Sequence, residues 1–285
     1  MTLVVARKIA DSYIQVVSDT RISDKTATNR SSYLKGALKT VVLSPTRCLC
    51  YAGGVAVALE AIKGIYEENL ASGQTEALID YLLHAHRHSD QVTDFLLCNL
   101  DSLGVIHSVK GGEHRMSSSG WAGDSQAFSH FQESINVGPE HGAGDSLGHR
   151  MLSSMIRLVH SGAFTGIDSV GGHVIATSTS SKGFFYQHYS ISSLAALRPG
   201  EDAARNDVAH GGYAESILVP KAAGVGAIAV HIFPVDIGVL YYPKLGIEGE
   251  LTKGVSTAQY SYQLKEMTGI EFTGFDNSYV TISKV

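Results

Sequence analysis

The alternation of strand-like and helix-like blocks along this 285-residue chain predicts an α+β protein in which packed sheets are covered by helices on both sides. Three observations support that class. Short strand-like runs are bounded by turn residues, helical-period stretches arrive in pairs, and an apolar fraction of 44% against 17% charged suits a soluble globular core.

The first block holds Leu3 to Ala6, Tyr13 to Ser18 ending at Asp19, Thr40 to Leu43 and Arg47 to Ala52. Ala52-Gly53-Gly54 then opens a helix on Val55, Leu59, Ile62, Ile65 and Tyr66, which Ser72-Gly73 stops. A second helix carries Leu78, Tyr81, Leu82 and Ala85. Phe95 to Leu100 and Val105 to Val109 read as a hairpin around Asp101-Ser102-Leu103-Gly104. Met116 to Ser119 reads as a strand running into Gly120 and a helix with Phe128, Phe131 and Ile135. Leu147, Met151, Met155, Leu158 and Val159 mark a fourth helix. Strands return at His173 to Thr179 and Phe184 to Ser190. The stretch from about Ser192 to Val225, rich in Gly, Ala and polar residues, reads as an insertion or lid. Ala227 to Phe233 and Gly238 to Tyr242 form a further hairpin, and a mixed C-terminal extension follows from Thr252. The whole reads as a single domain.

Several function classes are disfavoured. A net charge of -5 with scattered Lys and Arg leaves no basic footprint for nucleic acid. The best apolar stretch, Gly224 to Leu240, is interrupted by His231, Pro234 and Asp236, so no membrane span is expected. No signal peptide is apparent, and three cysteines make no disulfide framework. A cytoplasmic setting is expected, with Cys48 and Cys50 as small core residues on one strand face. His84 and His88 share a helix face at a spacing that could serve zinc, but nothing nearby completes a site, and no metal or cofactor is expected.

Thr2 becomes the first residue if Met1 is removed. An N-terminal threonine supplies both a hydroxyl nucleophile and an α-amine, whose pKa of about 8 suits it to act as general base. On its own, a threonine at this position does no more than permit methionine removal. Behind it, however, come Asp19-Thr20-Arg21 after the second strand, Lys39 before the third, and Tyr51-Ala52-Gly53-Gly54. Gly53 lies fourteen residues beyond Lys39. This order resembles the catalytic pattern of proteasome β-subunits and HslV-type peptidases. Ser44-Pro45 stands where some of them carry Asn-Pro, and Leu96 to Val109 resembles the family hairpin. Ser118-Ser119-Gly120 stands where they have Gly-Ser-Gly. The resemblance spans roughly the first 190 residues.

The resemblance implies a four-layer αββα N-terminal nucleophile hydrolase sandwich, with two antiparallel sheets between helix pairs. It implies a catalytic set of Thr2, Asp19, Lys39, Gly53 and Ser119. A Lys39 ammonium would favour the developing alkoxide and keep the terminal amine neutral, and Asp19 would hold Lys39. The Gly53 N–H would stabilise the oxyanion, and Ser119 would orient the amine or a bridging water. Asp168 stands near the family's Asp-x-x-Ser-Gly-Gly, one residue out of register when Gly171-Gly172 are aligned, with Val170 in the serine position. Ile22, Ser23, Tyr51 and Val55 match the primary substrate pocket. The bulk of Tyr51 implies small or medium apolar preference there. The resemblance further implies a homo-oligomeric ring or stacked rings acting on peptides or unfolded protein, with any ATP-driven unfoldase a separate chain because no P-loop is present. Two other functions fit the residues: a small-molecule amidase with the same threonine chemistry, and a noncatalytic ring subunit.

Overall fold

A computed structural model describes residues 2–22, 36–101, 104–137, 146–165, 167, 169–193 and 213–274. Its framework is three antiparallel sheets. The first is built on β1 (Leu3–Ala10) and β2 (Tyr13–Asp19), joined by a tight turn and flanked by β8 (Ser119–Gly123), β9 (Val174–Ser180) and β10 (Gly183–Tyr186). Its strand order is β10-β9-β2-β1-β8. β1 is paired on both sides, with Val5 opposite Val17 in β2 and Trp121 in β8. Leu3, Val4, Ala6, Val16 and Val17 are accordingly fully buried.

The second sheet runs in simple succession: β3 (Thr40–Ser44), β4 (Arg47–Ala52), β5 (Asp94–Asn99), β6 (Val105–Lys110) and β7 (Glu113–Ser117). Between β4 and β5 the chain forms α1 (Val55–Glu67) and α2 (Thr75–His88), and α2 lies against β5 and β6. After β8 come α3 (Ser125–Val137) and α4 (Leu147–Thr165), with α4 against β2 and β9. Gly120 marks the contact between the first two sheets. A Cβ there would sit 3.0 Å from Leu96 Cδ2, so the glycine permits close approach instead of ending a strand.

The third sheet overturns the expected αββα sandwich of two sheets. It orders β11 (Ser190–Ser193), β12 (Tyr213–Pro220), β13 (Ile228–Ile232), β14 (Ile237–Tyr242) and β15 (Ile247–Lys253), with β16 (Phe272–Thr273) added on β12. Part of the expected insertion, residues 194–212, lies outside the described residues, but 213–220 is a core strand. The mixed tail supplies the end of β15, then α5 (Thr257–Thr268) and β16.

The physical reason lies in two-sided burial. Ile217, Val219, Ile228, Val230, Ile232, Val239 and Tyr241 join the main core, while the alternate residues Leu218, Ala229 and Leu240 pack with Tyr260 and Leu264 of α5. A sheet covered on both faces needs apolar residues at nearly every position of its central strands, which hides the alternation that would reveal it. α5 starts on a Ser256–Gln259 capping box and stops at Gly269, whose φ of +72 suits glycine. No helix among the described residues is long and apolar enough to cross a membrane.

Candidate active site

Three sequence-predicted residues converge at the ends of β1, β2 and β3. Thr2 is 3%, Asp19 0% and Lys39 1% exposed, so the cluster is well shielded by the chain around it. Thr2 Oγ1 donates to Asp19 Oδ1. Lys39 Nζ donates to Thr2 Oγ1 at 2.5 Å, to Asp19 Oδ1 at 3.1 Å and to the Arg21 carbonyl. Those three acceptors match the three N–H bonds of an ammonium.

Asp19 itself is saturated. Its Oδ1 also accepts from the Leu3 N–H at 3.1 Å, and its Oδ2 accepts from the N–H groups of Arg21 at 3.2 Å and Gly171 at 3.1 Å. Backbone donors thus fix both carboxylate oxygens, and the acid in turn fixes lysine and threonine. Burial pushes the Lys39 ammonium below its ordinary value, while the charge and hydrogen bond of Asp19 oppose the shift. The arrangement sets an ammonium against the threonine oxygen, with one carboxylate bonded to both groups.

Gly53 stands at the same end. Lys39 O accepts from Tyr51 N at 3.0 Å, one pairing before Thr40 meets Cys50, so Gly53 follows β4 directly beyond the Lys39 position. Its φ is +111, and a Cβ would fall 1.8 Å from the Val92 carbonyl oxygen. Only glycine fits that turn. The neighbouring Gly54 N–H is held by Thr93 Oγ1 at 3.2 Å, whereas Gly53 itself is exposed. Val55 is half-buried at the head of α1, and Ile22 is half-buried beyond β2. Tyr51 is 0% exposed, and burial and the nearby carboxylates of Glu248 and Asp19 push its phenol far above the usual range. Ser23 and Asp168 lie outside the described residues.

Ser119 is not brought to the cluster. It pairs with Arg7, whereas Gly123 pairs with Leu3, so it stands roughly 14 Å along the strand from the Thr2 end. The chain changes sheets between Ser117 and Ser119, which the reading of Met116 to Ser119 as one strand could not show.

The residue of that segment that does reach Thr2 is Asp124. Its N–H donates to the Thr2 carbonyl at 2.7 Å, and its Oδ1 caps α3 by accepting from Gln126 N at 2.8 Å and Ala127 N at 3.0 Å. Partial burial pushes its carboxyl up, but the Ala127 N–H, the nearby Ser169 hydroxyl and the Gln126 N–H hold it below the ordinary value. Gly123 turns the chain with a φ of +112, and a Cβ there would meet the Thr2 carbonyl oxygen at 1.8 Å. Gly123-Asp124-Ser125 ahead of a helical pattern is the capping signal that could have revealed it.

The histidines of α2 serve other contacts. His86 is buried, with Nδ1 2.6 Å from Thr93 O and Nε2 accepting from Gly112 N at 2.9 Å. The rings of His84 and His88 lie 3.8 Å apart between centroids, with their planes tilted by 37°. Among the described residues, no three His, Cys, Asp or Glu side chains converge as a metal site requires. Compared with known proteins, the chain matches no family model and no curated protein.

Proposed function

We propose that the chain is a threonine-type peptidase, related to proteasome β-subunits and acting from the cytoplasm within a self-assembled ring on peptide or unfolded-protein substrates. The observation that carries this reading is the buried Thr2–Asp19–Lys39 cluster, in which one hydroxyl is bonded to both a carboxylate and an ammonium. An ordinary surface threonine has no need of such an environment, and burying an ion pair there costs desolvation that an apolar cluster would avoid.

In the proposed reaction Met1 is absent and the Thr2 α-amine is free. Thr2 Oγ attacks the scissile carbonyl carbon as its proton passes to that amine, directly or through Lys39. The carbonyl π-electrons move onto oxygen, where the Gly53 N–H and the Lys39 charge stabilise them. Collapse breaks the C–N bond, and the leaving amine takes the stored proton. Water, activated by the same α-amine, then cleaves the Thr2 ester. Losing one donor to the oxyanion costs about 3–4 kcal/mol in comparable sites.

The decisive experiment compares wild type with Thr2→Ala on fluorogenic peptides, after intact mass has established loss of Met1. Hydrolysis abolished in Thr2→Ala supports the reading, and equal hydrolysis by the two proteins refutes it.

A further inference from the structure

Asp19 depends on a turn, and that turn is tied to the third sheet. Gly171 donates to Asp19 Oδ2 at 3.1 Å and accepts from Arg21 N at 3.1 Å. Two residues on, the His173 N–H donates to Thr20 Oγ1 at 2.8 Å. These bonds lace the turn to the end of β2, the strand that bears Asp19. The His173 side chain points elsewhere: its Nδ1 meets Glu215 Oε2 of β12 at 2.6 Å. His173 is 0% and Glu215 1% exposed. Glu215 shares a strand face with Ile217 and Val219, both in the main apolar core, where a polar pair costs desolvation that an aliphatic residue would not. A short, fully buried contact between the turn that precedes β9 and strand β12 of the third sheet specifies position more than it contributes stability.

We propose that Glu215 and His173 are positioning residues: they register the Gly171–His173 turn against the third sheet and so fix the Asp19 carboxylate that orients Thr2 and Lys39. The inference rests on the threonine mechanism above. Neither residue touches the reacting atoms. Glu215 acts on His173, His173 acts on the turn, and the turn acts on Asp19. The close fit leaves little slack along this path. Gly172 has a φ of +74, and a Cβ on it would lie 2.6 Å from Thr20 Oγ1. A displacement of the turn therefore reaches the Asp19–Thr20 backbone, and misplacement of a catalytic group by about 1 Å can cost on the order of 100-fold in rate.

The test uses the full-length protein lacking Met1 and three variants, Glu215→Ala, Glu215→Asp and Glu215→Gln. Two readouts are taken: steady-state peptide hydrolysis, and the rate at which a β-lactone acylates Thr2, followed by intact mass. Glutamine keeps an oxygen that accepts from His173 Nδ1–H, whereas aspartate is one methylene too short. Glu215→Ala and Glu215→Asp should lower kcat and the acylation rate by about 30-fold with KM within about twofold, and Glu215→Gln should recover both rates to within about threefold of wild type. Should alanine fail to fold, the aspartate and glutamine pair carries the same contrast. A folded Ala or Asp variant with wild-type kcat and acylation overturns the proposal, as does a loss confined to KM. If wild-type Thr2 resists acylation and Thr2→Ala hydrolyses peptide equally well, the threonine mechanism itself fails and takes the positioning role with it.

Discussion

Asp19 and Asp124 both lie against Thr2, one through its carboxylate and the other through its backbone N–H. Asp19 is wholly buried, with Thr2, Leu3, Arg21, Lys39 and Gly171 all donating to it. Asp124 is half-buried, and its carboxylate spends Oδ1 on the first turn of α3. The first acid has no conformational freedom and sets the geometry of its neighbours. The second anchors main chain, with the Ser169 hydroxyl near its carboxylate. Two carboxylates beside one buried threonine thus differ in role: one is a fixed electrostatic element, the other an anchor between β8 and a helix.

Breaking the fixed element should have the largest effect. Asp19→Ala leaves Lys39 buried without its counter-charge, and removing one partner of such a pair costs about 3–5 kcal/mol. Urea unfolding should show that loss together with hydrolysis near background, and a stable, active Asp19→Ala protein would contradict the division just drawn.

Lys39→Arg is expected next, lowering kcat by about 100-fold, because a planar guanidinium cannot reproduce the three bonds that Lys39 Nζ makes to Thr2, Asp19 and the Arg21 carbonyl. Lysine titration also has a stability signature. Burial lowers the folded-state pKa of Lys39 below the usual 10.5, so in the window between the two values the unfolded chain binds more protons. Stability attributable to Lys39 should therefore rise with pH through that window and level off above 10.5. Subtracting the profile of Lys39→Met from that of wild type isolates this slope, and a difference that is flat or falls with pH would show the lysine is not desolvated.

Gly53→Ala should come third, with about 1–3 kcal/mol lost to backbone strain alone, read as a lowered thermal midpoint. Asp124→Ala should be milder: about 1 kcal/mol for the lost helix cap and no more than about a tenfold fall in kcat. Asp124→Ser, which can still cap, should recover most of the stability. Ser119→Ala, at the remote end of the β1–β8 pairing, should change stability by less than about 0.5 kcal/mol and leave kcat as in wild type. A large kinetic loss at Ser119 would reverse the assignment of Thr2's neighbours.

The site was more legible in the sequence than the fold around it. Thr2, Asp19 and Lys39 each sit at a strand end, where a run of apolar residues meets a residue with chemistry, and it was the resemblance of their order to the β-subunit pattern that grouped them. Gly53 was legible for the same reason, as a glycine pair between strand and helix. Asp124 was hidden because Met116 to Ser119 looked like one strand, when the chain crosses from the second sheet to the first beside Ser118. Gly120 reinforced the error by looking like a stop. The third sheet was hidden for a different reason. Its middle hairpin, β13 and β14, was legible, but β12 lay in the stretch read as an insertion, and β15, with Glu248, Glu250 and Lys253 exposed, ran into the mixed tail, so nothing joined these strands into a sheet. Glu215 and His173 are far apart in sequence, and nothing local in either segment announces the other.

The depth of Thr2 also sets an order of events during synthesis. An aminopeptidase must draw an extended, unpaired chain end into its cleft, yet Thr2 is 3% exposed and the strand that follows it is paired on both edges from Val4 to Arg7. Under the proposed chemistry, Met1 leaves most readily while the nascent end is still loose, before β1 finds β2 and β8. A chain that kept Met1 would be native but inert, so the active fraction of a preparation would record how completely methionine had been excised.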